Sequence, residues 1–245
     1  MKIFLAGTYS ENKNADDVLH SMYNLESFYY IKPWQYQLIE RSKMFLLDSG
    51  AFTFFSSGRK VDWDEYIDKY ARFINEHDVR YYFELDIDVL VGYENVLKLR
   101  NKLETETGRK CIPVWHKHRG LDEFKKMCDE YSYVAIGGIA SKEIKPSQHK
   151  AFPMLINEAH RRGAKIHGLG YTNVSKFNEN RFDSVDSTRW NCARFGRLEY
   201  FDGTTMKVVD KRGEGKRLKG RKNNDIIKLT FQEWVKFQKY AERNL

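Results

Sequence analysis

The sequence predicts an α/β protein, a TIM-like (β/α)₈ barrel followed by a C-terminal hairpin, a basic loop and a closing helix. Three observations carry this expectation. Short apolar runs of strand length alternate with amphipathic helical stretches, as repeated βα units around a parallel sheet require. The runs are nearly continuous in apolar character, which suits strands covered on both faces. No GxGxxG or Walker-type fingerprint follows any of them, which argues against an open dinucleotide- or nucleotide-binding sheet.

Taken in order, the strand-type runs are Lys2–Gly7 (KIFLAG), Met44–Asp48 (MFLLD), Arg80–Asp88 (RYYFELDID), Cys111–Trp115 (CIPVW), Tyr133–Gly137 (YVAIG), Lys165–Gly170 (KIHGLG) and Phe182–Asp186 (FDSVD). An eighth is not distinct. Asp62–Ile74 has apolar residues at 63, 66, 67, 70, 71 and 74, a helical stripe behind an acidic cap. Tyr93–Leu103, Leu121–Tyr131 and Ala151–Arg162 repeat that pattern. Beyond Trp190 the pattern changes. Arg197–Val209 reads as a hairpin turning at Asp202-Gly203. Thr230-Phe-Gln-Glu233 reads as a capping box for a last helix, with Phe231, Trp234 and Val235 on its buried face. One domain, 1–245, is expected, with the barrel core in 1–195 and the hairpin, loop and helix in 196–245.

Composition excludes several classes. With 41% apolar and 15% aromatic residues among 245, the chain has enough core-forming side chains not to be disordered. Only 16 Gly and 4 Pro exclude collagen-like and low-complexity chains. No apolar stretch approaches the roughly 18 residues of a membrane span. MKIFLAG turns polar at Glu11-Asn12-Lys13, unlike a signal peptide. Cys111, Cys128 and Cys192 lie far apart without a CxxC, so free thiols, a cytoplasmic setting and no structural zinc are expected. The formal charge is +8, and much of it lies in KVVDKRGEGKRLKGRK, residues 207–222. Lys211, Arg212, Lys216, Arg217, Lys219, Arg221 and Lys222 there have almost no apolar neighbour to pack against, and they suit a phosphate backbone.

What ends each strand is more informative. Ligands of α/β folds bind at the carboxyl ends of parallel strands. Those ends carry Asp48-Ser49-Gly50, Asp86 and Asp88, His116, Gly137-Gly138, His167-Gly168-Leu169-Gly170, and Asp183 with Asp186. A concave site with carboxylates, imidazoles and glycine amides is expected. Carboxylates accept N–H groups and amides donate to a carbonyl, so a purine-like base with N1–H, a 2-amino group and O6 matches it. Two separated carboxylates also suit glycosidic-bond chemistry. A divalent metal on Asp86, Asp88, His116 and His167 is the competing reading.

Three of these motifs, taken together, resemble the tRNA-guanine transglycosylase family. Asp48-Ser-Gly-Ala-Phe is similar to its DSGG(F/Y)Q segment. Tyr133-Val-Ala-Ile-Gly-Gly-Ile-Ala140 is similar to its YAVGGLA segment, and Phe182-Asp-Ser-Val-Asp-Ser-Thr-Arg189 to its FDCVLPTR or FDSA segment. They occur in the family's order across residues 44–190. Ser184-Val-Asp-Ser-Thr-Arg-Trp190 most resembles a short phage- and bacterium-associated branch that acts on DNA.

The resemblance implies a TIM barrel that exchanges guanine for a 7-deazaguanine such as preQ0 through a covalent sugar–aspartate; no cofactor is expected, because both bonds are glycosidic, and no metal, because the chain has no Cys/His cluster. It implies Asp48 as general acid/base. It implies Asp183 as nucleophile by the FDS alignment, or Asp186 by the SVDSxxW pattern, which is preferred because it also matches Trp190. Ser49, Gly50, Asp86, Asp88, His116, Gly137, Gly138, His167 and Gly168 would bind the base, with His116 where the tRNA enzymes have a base-reading Gln. The chain lacks the tRNA enzymes' CxCxxC…H zinc cluster, and no RNA-binding domain follows the barrel. The expected partners are therefore DNA, with tRNA as the alternative, and a free 7-deazaguanine base. A non-catalytic basic nucleic-acid-binding barrel is the alternative of a different class.

Overall fold

A computed structural model describes residues 1–8, 21–51, 53–54, 61–195, 197–210 and 223–245. Seven parallel strands are named: β1 Lys2–Ala6, β2 Tyr23–Ser27, β3 Met44–Asp48, β4 Val114–Trp115, β5 Tyr133–Ile136, β6 Lys165–Gly168 and β7 Ser184–Ser187. Their order is β3-β2-β1-β7-β6-β5-β4, and the sheet curls into a half-barrel. Seven helices are described: α1 Gln37–Arg41, α2 Trp63–Glu76, α3 Asp88–Val91, α4 Tyr93–Thr107, α5 Gly120–Glu130, α6 Phe152–Arg161 and α7 Asn223–Asn244. An antiparallel hairpin, β8 Arg197–Phe201 and β9 Met206–Asp210, precedes α7. Among the described residues no helix is long and apolar enough to cross a membrane.

Period-two alternation sorts each strand between two faces. Ile3, Leu5, Val134, Ile136, Ile166 and Val185 share one apolar cluster with Phe124, Phe152, Phe231 and Trp234 from the helices. Phe45 and Leu47 share another with Ile67, Tyr70 and Ile74 of α2 and Leu99 and Leu103 of α4. The opposite, concave face carries a third: Phe4, Ala6, Tyr23, Leu25, Leu46, Val114, Tyr133 and Ala135. Its upper positions are polar. Capping sets α2, because Asp62 accepts from the amides of Asp64 and Glu65, both at 3.1 Å, worth about 1 kcal/mol.

Three expectations change. The run Arg80–Asp88 is not a strand; it makes isolated parallel bridges, Tyr82 to Leu47 of β3 and Phe83 to Ile112. The Cys111–Trp115 run is a strand only at Val114–Trp115, since Pro113 has no N–H for a ladder. The seventh named strand is instead β2, which the apolar pattern hid because Asn24 and Glu26 are buried polar residues. A closed eight-stranded barrel is thus not what the ladder displays. The capping box is also corrected: α7 begins at Asn223, and Thr230 lies inside it, its hydroxyl donating to the Ile226 carbonyl at 2.9 Å. Glu233 instead accepts the Phe201 amide and so ties the hairpin to α7. Phe231, Trp234 and Val235 are buried as the pattern predicts.

One carboxylate joins the two edges of the sheet. Glu84 is fully buried, and its Oε2 accepts Arg100 Nε of α4 at 2.5 Å while Oε1 accepts the Val114 amide of β4 at 2.7 Å. The Arg119 guanidinium lies 3.7 Å from the same Oε1. Replacing Glu84 by Gln leaves Arg100 buried without its counter-ion. We expect a loss of about 3–5 kcal/mol in urea unfolding. A loss below about 1 kcal/mol would show that the hub is dispensable.

Candidate active site

The carboxyl ends of the strands surround a cavity of about 370 Å³, a size suited to a small ligand. Its lining includes Glu26, Ser27, Asp48, Ser49, Asp86, Asp88, His116, Gly138, Glu143, Gly170 and Asp186. Six carboxylates therefore face one cavity in a protein of net charge +8. Such a lining favours a ligand that presents N–H groups or positive charge.

Asp48 ends β3 on the concave face, and the chain turns back at Gly50, whose φ is +76°. A Cβ there would lie 2.6 Å from Tyr29 Cβ, so only glycine fits. The Gly50 amide donates to Asp48 Oδ2 at 3.1 Å. Burial pushes the Asp48 carboxyl up to about 7, helped by the negative charges of Asp186 and Asp86 and opposed by the Gly50 amide. It is thus poised to give or take a proton near neutrality.

Asp186, on β7, is held differently. Its Oδ1 accepts the Gly170 amide at 2.6 Å and faces His167 Nε2 at 3.1 Å. Asp183 does not share the site. It precedes β7 by one residue and lies about 10 Å down the strand from Asp186, three residues at about 3.3 Å each. There it accepts the Ile166 amide at 2.8 Å and pairs with His160 of α6 at 2.8 Å. The alignment-based choice of Asp183 as nucleophile is therefore corrected: at the opposite end of its strand it cannot reach the cavity.

The far wall is a charged network. His116 lies between two carboxylates, Nε2 donating to Asp86 Oδ1 at 2.5 Å and Nδ1 to Glu143 Oε2 at 2.7 Å. Burial works against its charge, but Asp86 and Glu143 outweigh it and lift its pKa to about 9. Burial would raise Glu143, yet its hydrogen bonds from His116 and His118 hold it below the usual range. Asp88 is tied by Arg119 through Nε and Nη2, both at 2.9 Å, and by His118 Nε2 at 2.9 Å. Asp88 also ends below the usual range: Arg119 and His116 overcome its burial. Arg119 in turn lies 4.1 Å from the Tyr93 ring centroid.

Five expected base-binding residues play other parts, the first being Gly50, which makes the turn and donates its amide to Asp48. Both nitrogens of His116 are occupied, so it orients Asp86 and Glu143 and has no edge left to read a base. The Gly137 amide donates to the Trp115 carbonyl at 2.9 Å and is not free for a ligand. Its missing side chain makes room for His116, whose Nε2 would be 2.7 Å from a Cβ. His167 is wholly buried beneath Asp186, and Gly168 packs against Tyr171 and Phe182, so neither lines the cavity. Ser49, Asp86, Asp88 and Gly138 do line it. The seven basic residues between Lys211 and Lys222 lie outside the described residues.

Glu26 and Glu143 were not foreseen. Glu26 belongs to the hidden strand β2; burial lifts it to about 7 against hydrogen bonds from Thr8. Glu143 lies in a loop without periodicity. Its one signal is Gly138, at φ +76°, where a Cβ would sit 2.7 Å from Glu143 Oε2. Among the described residues, Asp86, Asp88 and His116, or His116, His118 and Glu143, bring ligand atoms within 4.8 Å of one another and could hold a divalent metal. No family model and no curated protein matches the chain.

Asp48 and His116 are both held protonated above their ordinary values, so raising the pH should weaken the site. The Asp48 contribution to stability is complete below its ordinary 3.8 and is lost as pH rises through about 7. That of His116 is complete below 6.5 and is lost as pH rises through about 9. Carboxyl-carbon NMR should find Asp48 titrating near 7, and lower in Asp186→Asn, where one neighbouring negative charge is gone. An Asp48 that titrates near 4 in the wild type would overturn this account.

Proposed function

We propose that the protein is a base-exchange glycosyltransferase that replaces guanine in DNA with a 7-deazaguanine through a covalent sugar–aspartate. One observation carries the reading. Two carboxylates face a single cavity at the carboxyl ends of a parallel sheet, one protonatable near pH 7 and the other fixed by an amide and an imidazole. In this reading the sheet is a (β/α)₈-type barrel in which residues 80–88, bridged to both edges, serve as the eighth stave.

The chemistry divides between the two. Asp186 forms a bond to C1′ as the C1′–N9 bond breaks, and the electron pair leaves with guanine. Asp48 gives its proton to the departing base. It then takes the N9 proton of the incoming base, N9 bonds to C1′, and Asp186 leaves as a carboxylate. Asp86 and the Gly138 amide, which line the cavity, would hold the base's donor and acceptor edge. A base within a duplex must first be flipped out. The bonds broken and made are both glycosidic, so no cofactor enters.

Radiolabelled guanine in DNA or tRNA, incubated with candidate 7-deazaguanines, tests the proposal by label release. Asp186→Asn and Asp48→Asn should each lower release by at least about 100-fold while leaving circular dichroism unchanged. Release from tRNA alone would move the substrate to tRNA. Release without an added base would make the protein a hydrolase, and none from either polymer would favour a binding protein. Activity should survive a chelator. Metal at one equivalent whose removal abolishes activity would favour the metal reading instead.

The basic run is proposed as the backbone contact. Replacing Lys216, Arg217, Lys219 and Arg221 by Ala should flatten the log–log salt dependence of DNA binding by up to about four units. Choice of incoming base should not change, because phosphate contacts position and the pocket reads. An unaltered slope would confine the run to solubility.

A further inference from the structure

His167 is a buried titratable group for which the proposed chemistry has no use. Its ring lies beneath the cavity among Phe83, Phe4 and Tyr133, with centroids 5.3, 6.0 and 6.5 Å away. Register explains its neighbours: His167 of β6 pairs with Ala135 of β5 and Ser184 of β7. Ser184 and Asp186, two residues apart on one strand, point to the same face. His167 Nδ1 lies 2.6 Å from Ser184 Oγ, and Ser184 Oγ is hydrogen-bonded to the Tyr133 hydroxyl. Nε2 faces Asp186 Oδ1 at 3.1 Å.

A simple core histidine would end its hydrogen bonds on backbone or on a structural side chain. This one ends on a cavity-lining carboxylate. Proton counting then orders the chain. An ionised Asp186 only accepts, so Nε2 must donate, which makes Nδ1 the acceptor in the neutral ring. Ser184 donates to Nδ1 and accepts from Tyr133. Every dipole in Tyr133–Ser184–His167 then points toward Asp186, and such chains reinforce one another at low dielectric. Both of the oxygen's donors, the Gly170 amide and His167, fall on Oδ1. Oδ2 has no protein partner among the described residues.

We infer that His167, at the head of the buried Tyr133–Ser184–His167 chain, is a positioning residue that fixes Asp186 Oδ1 and presents Oδ2 as the oxygen that bonds to C1′. The inference rests on the base-exchange reading. When Oδ2 carries the sugar, Oδ1 is the ester carbonyl. When the C1′–Oδ2 bond breaks, its electron pair returns to the carboxylate, and the two donors at Oδ1 stabilise the charge that reappears. His167 neither gains nor loses a proton in this account; its effect falls on the rate of both half-reactions and not on binding.

His167→Leu should lower kcat for guanine exchange about 100-fold, with KM for DNA and for the incoming base within about threefold. His167→Gln, whose amide can donate from near the Nε2 position, should recover kcat to within about tenfold. Ser184→Ala and Tyr133→Phe, which remove one hydroxyl each and disturb packing less, should lower kcat by about 3–10-fold. A kcat unchanged in Leu, Ser184→Ala and Tyr133→Phe, or a loss in Gln as large as in Leu, would overturn the inference. The wild type supplies a readout that needs no turnover. Two-bond ¹H–¹⁵N spectra of the His167 ring should show a neutral Nε2–H tautomer, and an Nδ1–H ring or an imidazolium would refute the chain. Guanine never released by the wild type, from DNA or tRNA, would instead overturn base exchange and with it the role assigned to the chain. The same spectra would still report the hydrogen-bond order.

Discussion

The buried Glu84 carboxylate is the constraint on which the architecture of the site depends. A carboxylate this deep is costly unless both oxygens are engaged. Arg100 and the Val114 amide engage them, and Arg119 stands close to the same group. Those partners come from a helix, a strand and the turn after that strand. Satisfying one charge therefore draws α4, β4 and the Arg119 turn onto residues 80–88. Two residues beyond Glu84 lies Asp86, and Arg119 in turn secures Asp88. The wall of the cavity that carries Asp86, Asp88 and His116 inherits its position from that single burial.

The opposite wall follows a different logic. Asp48 and Asp186 are both carboxylates near the same cavity, yet their surroundings separate them. Asp48 is buried beside two negative neighbours, and burial with their charge outweighs its backbone amide donors and lifts its carboxyl to about 7. Asp186 has an amide and an imidazole on one oxygen, which orient it as an acceptor. Unequal environments can give two carboxyls of one site different chemical properties at the same pH. His116, charged between Asp86 and Glu143, helps hold Glu143 below the usual carboxylate range. Of the six carboxylates lining the cavity, Asp86, Asp88 and Glu143 are balanced locally by His116, His118 and Arg119, not by the protein's net excess of lysine and arginine.

Much of this was legible in the sequence where apolar period and strand-end chemistry coincide. Met44–Asp48, Tyr133–Ile136 and the helix capped by Asp62 follow from local patterns alone. Strand β2 was hidden because Asn24 and Glu26 occupy positions that an apolar pattern requires: Asn24 donates to Ser42 Oγ at 2.8 Å, and Glu26 accepts from Thr8. Such residues draw their hydrogen bonds from partners distant along the chain, and that distance is what a local pattern lacks. Glu143 and Arg119 escaped for the same reason. The Asp183–Asp186 ambiguity was a question of strand end, and three residues of rise decide it. Thr230 and Glu233 had the spacing of a cap, but spacing cannot say where a helix starts when the residues before it are also helix-forming.

The two walls are built by means that separate their consequences. The Asp86–His116–Glu143 wall is held by charge, so its geometry depends on protonation and on every counter-ion being present. The Asp186 anchor is held by two N–H donors on one oxygen, the Gly170 amide and the His167 imidazole at the head of its hydrogen-bond chain. Substitutions on the charged wall would therefore be felt first in what the cavity holds. Substitutions in the chain behind Asp186 would be felt first in what it does. A single curled parallel sheet allows both, because its strand ends converge on one space while each draws its support from a different layer behind it.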